Sequence, residues 1–502
     1  MSRGLLLFVF SVFLRDVDAA EPKPLSAAVI RGSTLYSPAD FYNVYRAKLG
    51  QRADAMSARA VMADIESMYA RGGYLRPRIQ VWDDLLADGI LRIDLHEVLL
   101  ADVVIKGDAG PYSKKVSDAT RALMTELPLR ANSVPAALEA LRALPGLDLE
   151  ASVVEQTGVD GGLVLNIVTS YRPLNASVQG SNRGTNEVGP DLFSAQLVEN
   201  NLLHANERIG AFVTAARQTS EYHAVGGFIE LPLDRGATVM ALSGVHSNSQ
   251  PSIGGTQYDL FHPQDTLSLM FTHWFVRRDR FRLAVGLGAE YQDSEITFEG
   301  VELETDRLRT GQLNLHMEGQ SGEKGAYAVS MGWRRGLSAF NSRIDFLDGG
   351  SLDPAYDIGS LDVAYAAPIG SHWRWRAEFL GQSSSQQLPY VEQFKVGGIQ
   401  LGRGLATAML AGDSGAGGKL ELTYFFGGAP RWLGNPSLFS YTDYGTVRQR
   451  GIDGREYIGT AGVGLQSRFS WGRLAAEVGR PVTFSGGRPA DTQVFGEVQV
   501  RF

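Results

Sequence analysis

The sequence contains no cysteine, which excludes thiolate catalysis, cysteine-ligated zinc, iron–sulfur clusters and disulfides together. A cysteine-free chain of this length also suits passage through an oxidising compartment. Beyond the first twenty residues no apolar run approaches the ~18 residues that a membrane helix needs, so if the chain spans a membrane it does so as a closed barrel. Basic clusters are scarce: the densest is Arg277-Arg278-Asp279-Arg280, and the net charge is −8, so a surface that tracks nucleic-acid phosphates is not expected. Catalytic signatures are missing as well. Gly412-Asp413-Ser414-Gly415 invites a serine-protease reading, but the eight histidines are scattered and none sits in a recognisable base motif. The run Gly397-Gly398-Ile399-Gln400-Leu401-Gly402-Arg403-Gly404 fits neither the dinucleotide nor the P-loop fingerprint, and there is no His-Glu-x-x-His pair and no calcium loop. The expectation is a chain that is not an enzyme and carries no cofactor or metal.

What is present is 502 residues, 44% apolar and 20% charged, too apolar for a disordered chain and too long for one ordinary core. Arg3 precedes the apolar run Gly4 to Leu14, and small residues follow at Ala19 and Ala20, the order of a secretory signal peptide over residues 1–20. Residues 25–171 then hold a pattern that occurs twice. Val29-Ile30-Arg31-Gly32 recurs as Val104-Ile105-Lys106-Gly107, 75 residues later. In the first unit, residues 25–98, Ser37-Pro38 supplies an N-cap and an N1 proline for a helix to about Lys48, and a second helix runs from about Met56 to Tyr69 until Gly72-Gly73 stops it. Strands follow at Arg78–Trp82 and Ile90–His96, with a turn near Asp88-Gly89. The second unit, residues 99–171, repeats the order: helices near Tyr112 to Met124 and Ser133 to Leu144, strands near Leu147 to Glu155 and Leu163 to Ser170, a turn at Gly161-Gly162. Two small α/β modules in tandem are predicted.

After Arg172-Pro173 the apolar period changes from 3.6 to 2. Phe281, Leu283, Val285, Leu287, Ala289 and Tyr291 alternate with Arg282, Ala284, Gly286, Gly288 and Glu290. Trp373, Trp375, Ala377 and Phe379 are likewise set against Arg374, Arg376 and Glu378. A soluble sandwich also alternates, but here the best strands run to about ten residues and the polar face carries charges and glycine, as a water-filled lumen requires. Residues 173–502 accommodate about 16 antiparallel strands at about 20 residues each, turns and loops included. The fold class predicted is α+β repeats followed by an all-β transmembrane barrel.

The most distinctive stretch is Leu388-Pro389-Tyr390-Val391-Glu392-Gln393-Phe394-Lys395-Val396-Gly397-Gly398, then Leu401-Gly402-Arg403-Gly404-Leu405, then Ala411-Gly412-Asp413-Ser414-Gly415 and Leu420-Glu421-Leu422. With Phe439-Ser440-Tyr441-Thr442-Asp443-Tyr444-Gly445 further on, it resembles the sixth outer loop and adjoining strands of two-partner secretion transporters, the translocators that export haemolysins and filamentous adhesins. The resemblance implies that the tandem modules are periplasmic POTRA domains and that the rest is a 16-stranded outer-membrane barrel. It implies a secreted protein partner, haemolysin- or adhesin-like, captured unfolded by the POTRA domains and conducted through the lumen. It also implies that the loop arginine, Arg403, folds inward and pairs with an acid on the wall, Asp443, with Glu421 as second candidate. Gly402, Gly404, Leu405, Gly412 and Asp413 are the loop motif around it. The family's loop tip is usually Val-Arg-Gly-aromatic, and only the Arg-Gly centre is kept here. The family's plug helix has no counterpart between the signal and Leu25. The closing strand Phe495 to Phe502 ends on an aromatic residue, which the resemblance reads as the signal presented to the barrel assembly machinery. Two other readings stay open: a barrel-inserting assembly factor of the same superfamily, which usually carries more modules, and a passive porin-like channel, which needs neither the modules nor the Arg403 loop.

Overall fold

A computed structural model describes residues 23–502 apart from 157, 159–160, 186–187, 254–255, 258–259, 279, 323, 406 and 486–490. The expected signal peptide at residues 1–20 lies outside the described residues. The chain divides into two compact units, the first ending at Tyr171 and the second starting at Arg172.

The first unit is built twice from the same parts. In the first half, β1 (Ala27–Arg31) is followed by α1 (Pro38–Tyr45), α2 (Ala55–Arg71), β2 (Arg78–Trp82) and β3 (Ile90–His96). In the second half, β4 (Leu99–Asp108) is followed by α3 (Ser113–Met124), α4 (Ser133–Arg142), β5 (Leu147–Glu155) and β6 (Gly162–Tyr171). Each sheet has its last strand in the middle, parallel to the first and antiparallel to the second: β1-β3-β2 and β4-β6-β5.

Local chemistry explains the helix starts. Ser37 and Asp40 form a reciprocal capping box at α1, with Pro38 in the first turn. Asp54 accepts hydrogen bonds from the Met56 and Ser57 N–H groups at the start of α2. The first helix ends earlier than Lys48, because Arg46–Lys48 tightens into a 3-10 turn. Along α2, Val61, Ile65 and Tyr69 recur at four-residue spacing and are fully buried against Leu91, Ile93 and Leu95 of β3. Burying each such aliphatic side chain contributes about 1.5–3 kcal/mol. The second half has a separate cluster around Tyr112, Leu129, Leu165 and Ile167. The repeated glycine has one cause in both halves. Gly32 and Gly107 each have φ +89°, and a Cβ on either would sit 2.0 Å from a carbonyl oxygen of the central strand, Leu95 or Thr169.

The second unit is a closed antiparallel barrel of sixteen wall strands, from Leu174–Ser181 to Gln493–Arg501, which pair with each other to close it. A short hairpin, Arg343–Phe346 with Ser351–Leu352, extends one wall. At the closing seam Asn182 prolongs the pairing, its side chain accepting from the Gly496 N–H at 2.7 Å and donating to the Val494 carbonyl at 2.9 Å. The period-2 faces separate as expected: Leu287 is 63% exposed, and Leu313, Met331, Trp333 and Phe379 also point outward. Their neighbours Ala284, Gly286, Arg334 and Glu378 line the interior. Outward greasy side chains over the barrel wall are what lipid contact requires.

The strands outgrow the ten residues read from alternation. Leu260–Arg278, Phe281–Phe298 and Val301–Ser321 have 19, 18 and 21 residues. The alternation marks only the stretch that meets lipid, whereas backbone pairing continues beyond it. The turns at the end where Leu174 begins are short, such as those joining Phe469 to Gly472 and Arg278 to Phe281, and the long connections 336–357 and 384–414 lie at the other end. Short turns on the periplasmic side and longer loops outside are the pattern of outer-membrane barrels.

Candidate functional site

The connection between the Trp373–Ser384 and Ser414–Phe425 strands folds into the barrel. Its short hairpin, Phe394–Val396 with Leu410–Gly412, places Val396, Leu401, Leu405 and Leu410 against Val447 and Ile458 of the wall. The wall accommodates this because its inward positions there are glycine. A Cβ on Gly417 would fall 2.2 Å from Leu401, and one on Gly445 2.7 Å from Val396.

At the tip stands Arg403. Its Nη1 donates to Glu421 Oε2 at 2.6 Å, and its Nη2 and Nε donate to the two oxygens of Asp443 at 3.3 and 3.4 Å. The guanidinium carbon lies 3.9 Å from the centre of the Tyr441 ring, so the cation is also stacked on a π face. Arg403 is 12% exposed at its side chain and Asp443 0%. The backbone joins in: the N–H groups of Gly402 and Arg403 donate to Asp443 Oδ2 at 3.2 and 2.9 Å. One carboxylate thus fixes the tip through four donors. Asp443 and Glu421 do not compete for the arginine; the planar fork reaches both, each on its own edge.

The flanking glycines are necessary for that geometry. Gly402 has φ +89° and Gly404 φ +94°, a region that side chains disfavour. A Cβ on Gly404 would sit 2.9 Å from the Gly479 carbonyl carbon, on the wall strand two along from that of Asp443. Leu405, where the resembled family has an aromatic, is 2% exposed and packs in the Val396–Leu401 cluster. Gly412 and Asp413 act at the loop's exit: Gly412 packs on Arg448, and Asp413, 1% exposed, accepts the Leu388 N–H at 2.7 Å and the Arg450 N–H at 2.6 Å. Asp413 therefore ties the start of the loop to its end, a structural role far from nucleophile chemistry. Phe502 lies apart from this site, exposed at the rim, its N–H donating to the Ala176 carbonyl at 2.9 Å.

Two features escaped the sequence reading. In the sequence Tyr441 is one residue of a motif with no role of its own, yet its ring is the platform for Arg403. Gly417, Gly445 and Gly479 form the trough that receives the loop. Their signal was available, since glycine at inward positions of several neighbouring strands marks a close approach of another backbone. Among the described residues, no cluster of histidine, aspartate and glutamate suits a metal ion, and no helix is long and apolar enough to cross a membrane.

A search of curated protein sequences returns no match. Among solved structures, CdiB from Escherichia coli is similar with a TM-score of 0.75 at 18% identity, covering 98% of this chain and 93% of that chain. CdiB from Acinetobacter baumannii has a TM-score of 0.64 at 16% identity, covering 97% and 91%. BamA from Haemophilus ducreyi lacking POTRA domains 1-3 has a TM-score of 0.55 at 14% identity, covering 95% and 100%. At these identities the likeness speaks for the fold. The family described as haemolysin secretion/activation protein ShlB/FhaC/HecB matches residues 161–469, well over half of the chain, and the chain belongs to that family of outer-membrane two-partner secretion transporters.

Proposed function

We propose that residues 25–98 and 99–171 are two POTRA domains on the periplasmic side, that they capture an unfolded secreted partner of the haemolysin or adhesin class, and that the barrel lumen conducts it outward. The Arg403 loop is the lock on that route. The observation that supports this reading best is the loop's position: a segment fastened inside the barrel by a buried, multiply bonded arginine occupies the space a passenger would need.

The modules suit capture of an extended chain. Each has a three-stranded sheet whose outer strands pair with no further strand among the described residues, and an edge can add a strand through backbone hydrogen bonds with little demand on sequence. No nucleotide motif is present, so the work of export comes from elsewhere, consistent with folding of the passenger outside.

The test compares proteins released by cells with and without this gene, together with binding of a purified 25–171 fragment to the N-terminal region of whichever protein is lost. Loss of one large secreted protein and binding to that fragment support the reading. Unchanged secretion with depletion of other outer-membrane barrels would replace it with barrel assembly.

A further inference from the structure

We propose that the loop is held by a second, separate latch at its base, in which Glu392 is gripped by Arg334 and Tyr356, and that this latch releases before Arg403 does. Its bearing on export rests on the reading of the barrel as the conduit; the latch itself can be measured without any passenger.

Glu392 sits where the loop enters the lumen, in the short turn Tyr390–Glu392. Its side chain is 10% exposed and accepts from Arg334 Nη1 at 2.9 Å and from the Tyr356 hydroxyl at 3.1 Å. Gln382 adds a bond from its side-chain amide to the Glu392 carbonyl at 2.8 Å. Leu388 and Val391, beside it, pack into a small apolar cluster with Leu308, Tyr356 and Ile358. Arg334 belongs to the ninth wall strand and Asp443 to the thirteenth, so base and tip are fastened to different parts of the wall.

Charge balance sets the order of release. Arg334 also donates to Glu290 on the wall at 2.9 Å. When Glu392 leaves, Arg334 keeps a carboxylate partner, and the wall is left with a neutral ion pair. When Arg403 leaves, Asp443 and Glu421 remain as two carboxylates with their shared cation gone. Like charges left together in a poorly solvated site are costly, so the tip resists opening more than the base does. The polarity also alternates: the loop offers an acid to a wall arginine at its base and an arginine to two wall acids at its tip. One shift in local charge therefore does not free both.

The natural chain has no cysteine, so a single introduced thiol reports its own surroundings. Leu388→Cys reads the base and Leu401→Cys the tip, two positions each 2% exposed, in the purified full chain, by the rate of reaction with a water-soluble maleimide. In the otherwise natural background the base thiol reacts faster than the tip thiol. Adding Glu392→Ala speeds the base thiol by about tenfold, as expected for loss of a charge-assisted hydrogen bond, and leaves the tip thiol within about twofold. Adding Arg403→Ala speeds the tip thiol instead. Tyr356→Phe, which removes one hydroxyl from Glu392, moves the base thiol the same way by less, and serves if Glu392→Ala fails to insert. Equal acceleration at both thiols by Glu392→Ala means one latch and overturns the proposal, as does a tip that reacts faster than the base. An unchanged base thiol in both Glu392→Ala and Tyr356→Phe overturns it too. Failure of the export reading would show in secretion and not in these rates.

Discussion

Removing the Arg403 side chain should unfasten the loop tip while leaving the barrel intact. Arg403→Ala abolishes three side-chain hydrogen bonds to Asp443 and Glu421 and the stacking on Tyr441. Breaking a buried ion pair by deleting one partner costs about 3–5 kcal/mol. The lower end applies here, because Asp443 keeps the backbone N–H groups of Gly402 and Arg403. A loss of ~3 kcal/mol corresponds to ~100-fold in the balance between fastened and released loop. Asp443→Ala should be the more damaging change, since it takes the acceptor from those two N–H groups as well. The double variant should be little worse than Asp443→Ala, because the residues act through one contact. The assays are secretion by cells, single-channel conductance in planar bilayers and barrel abundance in the outer membrane. All three variants should insert normally, show altered conductance and secrete poorly. Normal secretion and conductance by Arg403→Ala at normal abundance would refute the lock. Arg403→Lys should be intermediate, as an ammonium lacks the fork that spans both carboxylates; full function with lysine would show that charge alone suffices.

Gly404→Ala should reproduce the Arg403→Ala conductance change, because its φ of +94° and the Gly479 backbone 2.9 Å from the new Cβ leave the tip no room; unaltered conductance would mean the tip is not fixed there. Val285→Arg, on the outward face, should lower the yield of folded barrel by a cost of ~2–4 kcal/mol, whereas Asn314→Arg, facing the lumen, should cost much less. Asn314 serves better than Gly286 as the luminal position, since a Cβ on Gly286 would lie 3.3 Å from Met270 Sδ; equal yields would contradict the assignment of faces. In the 25–171 fragment, burial opposes ionisation of Glu97, but hydrogen bonds from Thr34, Tyr69 and Ser33 outweigh it and hold its carboxyl below the ordinary glutamate value. A depressed folded-state value stabilises above the unfolded-state pKa of about 4.3 and is lost as pH falls through the folded value. Urea midpoints of the fragment should therefore fall on acidification below that range, and Glu97→Gln should flatten the fall; an unchanged slope would remove Glu97 as its source.

The sequence carried the parts whose causes are local. The bounds of β2 and β3 are legible, because apolar alternation and the Asp88-Gly89 turn lie within the segment itself. The 75-residue repeat was legible because one backbone requirement, a left-handed glycine against the central strand, recurs at Gly32 and Gly107. The two faces of the barrel followed from the period of 2. Arg403, Asp443 and Glu421 were named through resemblance, and no spacing in the chain connects them.

What only the tertiary structure decided are relations between wall strands and the loop folded against them. Strand length beyond the lipid depends on which neighbour is available for pairing, so 21 residues at Val301–Ser321 leave no periodic trace. That Arg403 serves two carboxylates at once, and that Tyr441 lies beneath it, follows from the register of neighbouring wall strands. Arg334 and Glu392 are 58 residues apart and look like ordinary charges on a polar face. They meet because the loop leaves the eleventh wall strand and folds inward over the ninth, two strands away. Alternation determines which side chains face inward, whereas the register of neighbouring strands and the inward fold of the loop determine which inward side chains can touch.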